Sequence, residues 1–175
     1  LGTAFGIPTT NANTMLIGGG YGSAPLFALA ELLKNRGCRV DMVLGASTAN
    51  KIYAPLEGKR SVSSLTLTTD DGTAGIHGQI SEAIPRLIRE FGTEVIYSCG
   101  PMGMLSAIAK IADEFDLAHQ CAVEEAMACG IGVCMTCVVP IKHEDGIKMV
   151  RTCIDGPVMD GSEIIWDRKT VLDAL

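Results

Sequence analysis

Apolar residues along the first two-thirds of the chain follow two alternating rhythms: short unbroken runs, and longer stretches where they recur at helical spacing. Asn13-Thr14-Met15-Leu16-Ile17 predicts a strand, and Leu26, Leu29, Ala30 and Leu33 predict a helix that Gly37 stops. Arg39 to Leu44 and Ser64 to Thr68 predict two further strands. Ile80, Ile84, Leu87 and Ile88 share one helical face, and Pro85 within that segment predicts a kink or an early helix start. Thr93 to Ser98 predicts another strand, followed by a helix presenting Met104, Leu105, Ile108 and Ile111. Four or five strands alternating with helices predict an α/β fold, a doubly wound parallel sheet that binds ligands at its strands' carboxyl ends.

From Ala118 the alternation stops. His119–Val123 predicts a short strand, Thr136–Ile141 and Gly146–Arg151 a hairpin around His143-Glu144-Asp145-Gly146, and Ser162–Trp166 a last strand. The pattern divides the chain into residues 1–117, a nucleotide-binding domain, and residues 118–175, a small β-rich tail. Such a tail is too small for a core of its own and calls for a staple.

Two glycine-bearing loops fall at predicted strand ends. Gly18-Gly19-Gly20-Tyr21-Gly22-Ser23-Ala24-Pro25 opens the first helix, and Cys99-Gly100-Pro101-Met102 opens the last. A glycine-rich turn between strand and helix can place phosphates at the helix N-terminus. Taken alone, the first loop is equally a tight turn with no ligand, since Ser23 stands where the third glycine of a dinucleotide fingerprint would be. Two such loops at strand ends together favour a dinucleotide, with Gly18, Gly19, Gly20, Tyr21, Gly22, Ala24, Pro25, Asp70, Cys99, Gly100, Pro101 and Met102 as candidate contacts. No acidic residue closes the second strand; Ser47 and Thr48 stand there, which leaves NADH against NADPH open.

The tail carries the most specific pattern. Cys129, Cys134, Cys137 and Cys153 are spaced C-x4-C-x2-C-x15-C. The first three match the C-x4-C-x2-C run of plant-type [2Fe–2S] proteins, with a fourth ligand from a later segment. Gly130 and Gly132 let the loop wrap tightly, with N–H groups free to face sulfur. A structural zinc site of four thiolates is the alternative, although such sites use two separated pairs more often than one glycine-rich loop; disulfides or unrelated buried thiols are the remaining reading. His77, His119 and His143 are read as exposed or structural, and Cys38, Cys99 and Cys121 as small buried hydrophobes. Glu124-Glu125 is read as capping or solvating the loop.

Composition narrows the partners. The chain has 175 residues, 47% hydrophobic residues and a net charge of −6 with no basic cluster, which argues against nucleic acid. Mean hydropathy is +0.30, yet no apolar run approaches the ~20 residues of a membrane helix. Seven cysteines without secretory features predict a reducing compartment. No serine–histidine–carboxylate set or carboxylate pair supports hydrolysis, and no catalytic acid or base is assigned. The first residue is Leu1, which is expected to be processed or cut from something longer.

Five stretches together resemble one family. They are Glu124-Glu125-x-Met127-x-Cys129-Gly130-Ile131-Gly132-x-Cys134-x-x-Cys137-Val138, Cys153-x-Asp155-Gly156-Pro157-Val158, and upstream Ile17-Gly18-Gly19-Gly20-x-Gly22-x-Ala24-Pro25-Leu26 with Thr69-Asp70-Asp71-Gly72 and Cys99-Gly100-Pro101-Met102. The chain resembles the electron-transfer subunit of class B dihydroorotate dehydrogenase, in the ferredoxin–NADP reductase superfamily. The resemblance implies a ferredoxin reductase-like nucleotide domain, a [2Fe–2S] cluster on the four cysteines, NAD(H), and an FAD held mainly by an N-terminal β-barrel. Leu1-Gly2-x-x-Phe5 resembles the join between that barrel and the nucleotide domain. It further implies a cytoplasmic oxidoreductase subunit of pyrimidine biosynthesis, passing electrons to an FMN-containing catalytic subunit in a heterotetramer. A reductase-like subunit of a hydrogenase, sulfide dehydrogenase or transhydrogenase, or a zinc-stapled nucleotide-binding module, is the alternative.

Overall fold

The computed structural model describes residues 1–167; residues 168–175 of the predicted tail lie outside the described residues. Strands β1 (Asn13–Gly19), β2 (Arg39–Ala46), β3 (Ser64–Thr69), β4 (Ile76–His77), β5 (Val95–Cys99) and β6 (Ala118–Ala122) are mutually parallel. Strand β9 (Val158–Asp160) joins β6 antiparallel, and the sheet order is β4-β3-β2-β1-β5-β6-β9. Strands β7 (Val138–His143) and β8 (Gly146–Arg151) form a separate antiparallel hairpin. The helices are α1 (Ala24–Asn35), α2 (Pro55–Ser61), α3 (Ile80–Phe91) and α4 (Met102–Glu114).

Strand β1 reads as an unbroken apolar run because both its faces are covered. Leu16 packs with Leu26, Leu29 and Leu33 of α1, while Met15 and Ile17 pack with Ile84 and Ile88 of α3 and Ile108 of α4. A third cluster, with Leu105, Cys121, Val123, Val139, Val150 and Ile164, seats the hairpin on α4 and β6. The main sheet therefore continues past residue 117, since β6 and β9 both belong to it.

Three expectations change. The last strand is Val158–Asp160, not Ser162–Trp166, of which only Ile164 makes an isolated bridge, to Ile141. The Asp160 carboxylate accepts hydrogen bonds from the Ser162 amide (2.8 Å) and hydroxyl (2.7 Å) and turns the chain at Gly161, so the next residues leave β6 and run beside β7, where the Lys142 amide donates to the Glu163 carbonyl (2.8 Å) and the Ile165 amide to the Pro140 carbonyl (2.9 Å). Helix α3 begins at Ile80 and runs through Pro85, so the proline does not mark its start. Five buried side chains on its inner face, Ile80, Ala83, Ile84, Leu87 and Ile88, hold it; an Ile or Leu contributes about 1.5–3 kcal/mol on burial, against about 3 kcal/mol for an interior proline. Helix α2, with Gly58 inside and too few apolar positions to set a period, carries no sequence signal.

His119 ties β6 to its neighbours. It is 3% exposed, its Nε2 lies 2.7 Å from the Ser98 hydroxyl on β5, and its Nδ1 is buried without a hydrogen-bond partner. Nδ1 packs on Gly161, where an added Cβ would come within 2.2 Å of it. Burial pushes the imidazole down to about 4, opposed only in part by Asp160. Between about pH 6.5 and 4 the unfolded chain takes up a proton that the folded chain refuses, so stability falls as pH falls through that window. The full effect is on the order of 3 kcal/mol. Denaturant midpoints are expected to drop from neutral pH to about pH 4.5, and to drop less in His119→Gln; equal drops in both would remove His119 as the cause.

Candidate functional site

Strand order reverses between β1 and β5: β2, β3 and β4 lie on one side, β6 and β9 on the other. A crevice at the carboxyl ends of such a pair is the binding position in wound α/β sheets. Gly18 of β1 sits opposite Cys99 of β5, so both glycine-bearing loops emerge side by side. After β1 the chain makes a single tight turn, Gly20–Ser23, and α1 follows with Pro25 in its first turn. Ser23, in the third-glycine position, is buried, donates to the Gly20 carbonyl at 2.8 Å, and fills the space beside Gly18. A Cβ on Gly22 would lie 2.7 Å from the Gly100 Cα, so the loops touch backbone to backbone.

Two cavities flank this contact. The smaller, about 430 Å³, is lined by Gly19, Gly20 and Tyr21, by Asp70 and Pro101, and by Gly45, Ala46, Ser47, Lys51, Gln79 and Ser81. The larger, about 1160 Å³, is lined by Tyr21, Gly22, Pro25, Cys99, Glu124, Glu125, Met127, Cys153 and the N-terminal segment with Leu1, Thr3 and Phe5. Of the candidate contacts, Gly18, Ala24 and Gly100 shape the loops without lining either cavity, and Met102 faces a third cavity beside the hairpin. Lys51, Gln79 and Ser81 carry no motif; Lys51 follows β2, Gln79 and Ser81 stand at the start of α3, and only the sheet topology brings them to one edge. Gly6 holds the N-terminal segment in place: its amide donates to Gln120 Oε1 (2.7 Å) and its carbonyl accepts from the Tyr97 hydroxyl (2.9 Å).

Met127, just ahead of the cysteine loop, and Cys153, the fourth thiol, line the larger cavity. Cys137 and Cys153 are buried, Cys129 is half-buried and Cys134 is exposed. Gly130 (φ +69°) and Gly132 (φ +76°) take left-handed conformations, which lets the loop curl around its own sulfurs. The amides of Val133 and Cys134 donate to Cys129 Sγ, each at 3.4 Å, and the Thr136 hydroxyl donates to Cys134 Sγ at 3.1 Å. The Thr136 hydroxyl is the main cause holding the Cys134 thiol down at about 6, with help from the Thr136 amide and Cys129. The Cys153 amide and thiol donate to Cys137 and lower it, and this contact raises Cys153 in turn. Arg151 donates to the Gly132 carbonyl (3.1 Å) and to the Asp155 carboxylate (2.9 Å from its amide, 3.1 Å from Nε), pinning the loop to the segment that carries Cys153. Neither Thr136 nor Arg151 is marked by the cysteine spacing.

The donor set suits a thiolate-bound cluster. The thiols meet as two pairs, Cys129 with Cys134 and Cys137 with Cys153, and amides point at sulfur as they must to stabilise negative charge. Among the described residues, no three His, Cys, Asp or Glu side chains converge on one point as a single ion requires. The remaining thiols are different in kind: burial raises Cys99 to about 11 and Cys121 to about 12. None of the three histidines joins the loop; His119 is in the sheet, and His77 and His143 are exposed.

Residues 124–165 match the family model for the iron-sulfur cluster binding domain of dihydroorotate dehydrogenase B. Over 167 residues, 95% of the chain, the sequence is 32% identical to the dihydroorotate dehydrogenase B (NAD(+)) electron transfer subunit of Desulforamulus reducens, covering 64% of that protein. It is 38% identical to the subunit of the same name from Streptococcus mutans over 87% of the chain and 58% of the relative. The chain thus spans a little under two-thirds of the curated relatives it matches. A solved chain of an NADH-dependent reduced ferredoxin–NADP oxidoreductase superposes with a TM-score of 0.79 at 30% identity, over 98% of this chain and 63% of that one. Its architecture is the FAD- and NAD-binding fold of ferredoxin reductases. No helix among the described residues is long and apolar enough to cross a membrane. Over nearly its whole length the sequence is thus similar to the dihydroorotate dehydrogenase B electron-transfer subunits, and residues 124–165 carry the match to the cluster-binding domain.

Proposed function

We propose that the chain is the nucleotide- and cluster-binding part of an electron-transfer subunit that links NAD(H) to a partner flavoprotein. The single observation that carries this reading is the larger cavity, which is lined at once by Gly22 and Cys99 of the nucleotide loops and by Cys153, the fourth thiol of the cysteine set. A flavin seated there lies between a dinucleotide in the smaller cavity and a cluster on Cys129, Cys134, Cys137 and Cys153. When bound, the flavin and a [2Fe–2S] cluster supply the conversion of a hydride's electron pair into single electrons.

This chain's own residues hold and tune those groups. The glycine turn and the N-terminus of α1 present N–H groups to a pyrophosphate, and Asp70 and Lys51 flank the same cavity. The two thiol pairs match a two-iron core, where each iron takes two thiolates, better than one tetrahedral zinc. The amides of Val133 and Cys134 and the Thr136 hydroxyl, aimed at sulfur, stabilise the reduced, more negative state. Ile131, Val133 and Met135 stand exposed around the loop, an apolar rim suited to contact with an electron acceptor. The acceptor proposed is an FMN-containing dihydroorotate dehydrogenase subunit, in a cytoplasmic heterotetramer of pyrimidine biosynthesis. The likeness to a ferredoxin–NADP oxidoreductase chain supports a second reading, the same relay serving another flavoprotein complex.

Anaerobic reconstitution with iron and sulfide tests the cluster. A brown protein with two irons and two sulfides per chain, paramagnetic on reduction, is the expected result; a colourless protein holding stoichiometric zinc would sink the reading. Co-purification with a dihydroorotate dehydrogenase catalytic subunit, and an assay of NADH-dependent orotate reduction, separates the two acceptors.

A further inference from the structure

Tyr21 is the one described residue that lines both cavities at the crevice. It sits in the tight turn after β1, between Gly20 and Gly22, which have no side chains to cover it. Its ring is 82% exposed, more than a ring serving the core would be, and its hydroxyl has no hydrogen-bond partner among the described residues. It is nevertheless held: Tyr21 meets Tyr53 edge-on at 6.1 Å and 67°, and Tyr53 meets Phe27 of α1 edge-on at 5.7 Å and 78°. The result is a supported aromatic surface at the junction of the two cavities.

The smaller cavity has polarity along its length. Its β2 end carries Lys51, the one lysine or arginine among the described residues that lines either cavity, and its β1–β5 end opens past Tyr21 toward Cys99. A dinucleotide with its pyrophosphate on the glycine turn and its adenosine half toward Lys51 must carry its other ring past Tyr21. In the oxidised dinucleotide that ring is a pyridinium cation, and in the reduced form it is neutral. A phenol face attracts a cationic ring beyond its hydrophobic contact.

Resting on the dinucleotide reading above, we propose that Tyr21 is a positioning residue that packs against the nicotinamide ring where it crosses between the cavities, and favours the oxidised ring over the reduced one. Calorimetric titration of the full 175-residue chain with NAD+, NADH and ADP-ribose, which lacks nicotinamide, compares the parent with Tyr21→Phe and Tyr21→Leu. Tyr21→Leu is expected to weaken NAD+ about fivefold, to weaken NADH less, and to leave ADP-ribose unchanged, while Tyr21→Phe keeps the parent's pattern. Thermal melts establish that both variants are folded. Equal losses for all three ligands would make Tyr21 a structural part of the turn, and an unchanged NAD+ affinity would remove the contact; either overturns the proposal. Failure of the parent chain to bind even ADP-ribose would instead overturn the dinucleotide reading and the proposal with it.

Discussion

Cys137→Ser is expected to lose its iron and its visible absorbance, while Cys38→Ser keeps both. Cys137 is 2% exposed, and the Cys153 amide and thiol hold it below the usual thiol range. A serine hydroxyl is a harder and far weaker acid than that thiol, and cannot replace it on a soft metal centre. Loss is expected to spread into the tail. The cluster of buried residues beneath the hairpin has only six members, and the Cys137 carbonyl accepts from the Thr152 amide at 2.9 Å just before β8 turns toward Cys153. A structural metal site contributes on the order of 10 kcal/mol to folding, as much as so small a core supplies. Limited proteolysis should therefore cut the variant within residues 124–165 while the parallel sheet survives. Cys38 lies among Leu33, Val40 and the rest of the α1-side core, remote from the loop. Full iron content in Cys137→Ser would remove it from the ligand set.

Gly22→Ala is expected to cost about fivefold or more in dinucleotide affinity. The new Cβ would sit 2.7 Å from the Gly100 Cα and 2.9 Å from its amide nitrogen, and backbone cannot swing aside as a side chain can. The two loops must part, at a cost typical of overpacking, about 1–3 kcal/mol, or roughly five- to 150-fold when it falls on the bound geometry. Gly58→Ala in α2, whose Cβ finds ordinary contacts at 3.5 Å, is the matched control and should bind as the parent does. Equal affinities for the two variants, measured by calorimetry, would mean that the loop contact does not shape the site.

Much of this architecture was legible before any coordinate. The run from Asn13 to Ile17 and the helical spacing of Leu26, Leu29 and Leu33 report burial directly, since a strand covered on both faces has no polar side to show. The cysteine spacing is equally local, because one glycine-rich loop supplies three of the four thiols. Legibility failed where a distant partner decided the outcome. Ser162–Trp166 has strand-forming residues, but Asp160 turns the chain at its start and β6 takes Val158–Asp160 instead. Pro85 signals a break, but the buried face of α3 outweighs it.

The chain's own pattern was enough to settle an α/β alternation, two glycine loops at strand ends and a cysteine set able to hold a cluster, because each depends on neighbours within a turn or a short loop. Which loops face each other was decided only in three dimensions. The β1–β5 pairing sets Gly22 against Gly100, nearly eighty residues away, and β9 returns beside β6 to bring Cys153 to the same cavity. Arg151 and Lys51 gain their roles from contacts that only the tertiary structure makes. The physical reason is that periodicity encodes which side of an element is buried, whereas a site at a topological switch point is made of loop residues whose neighbours are chosen by strand order.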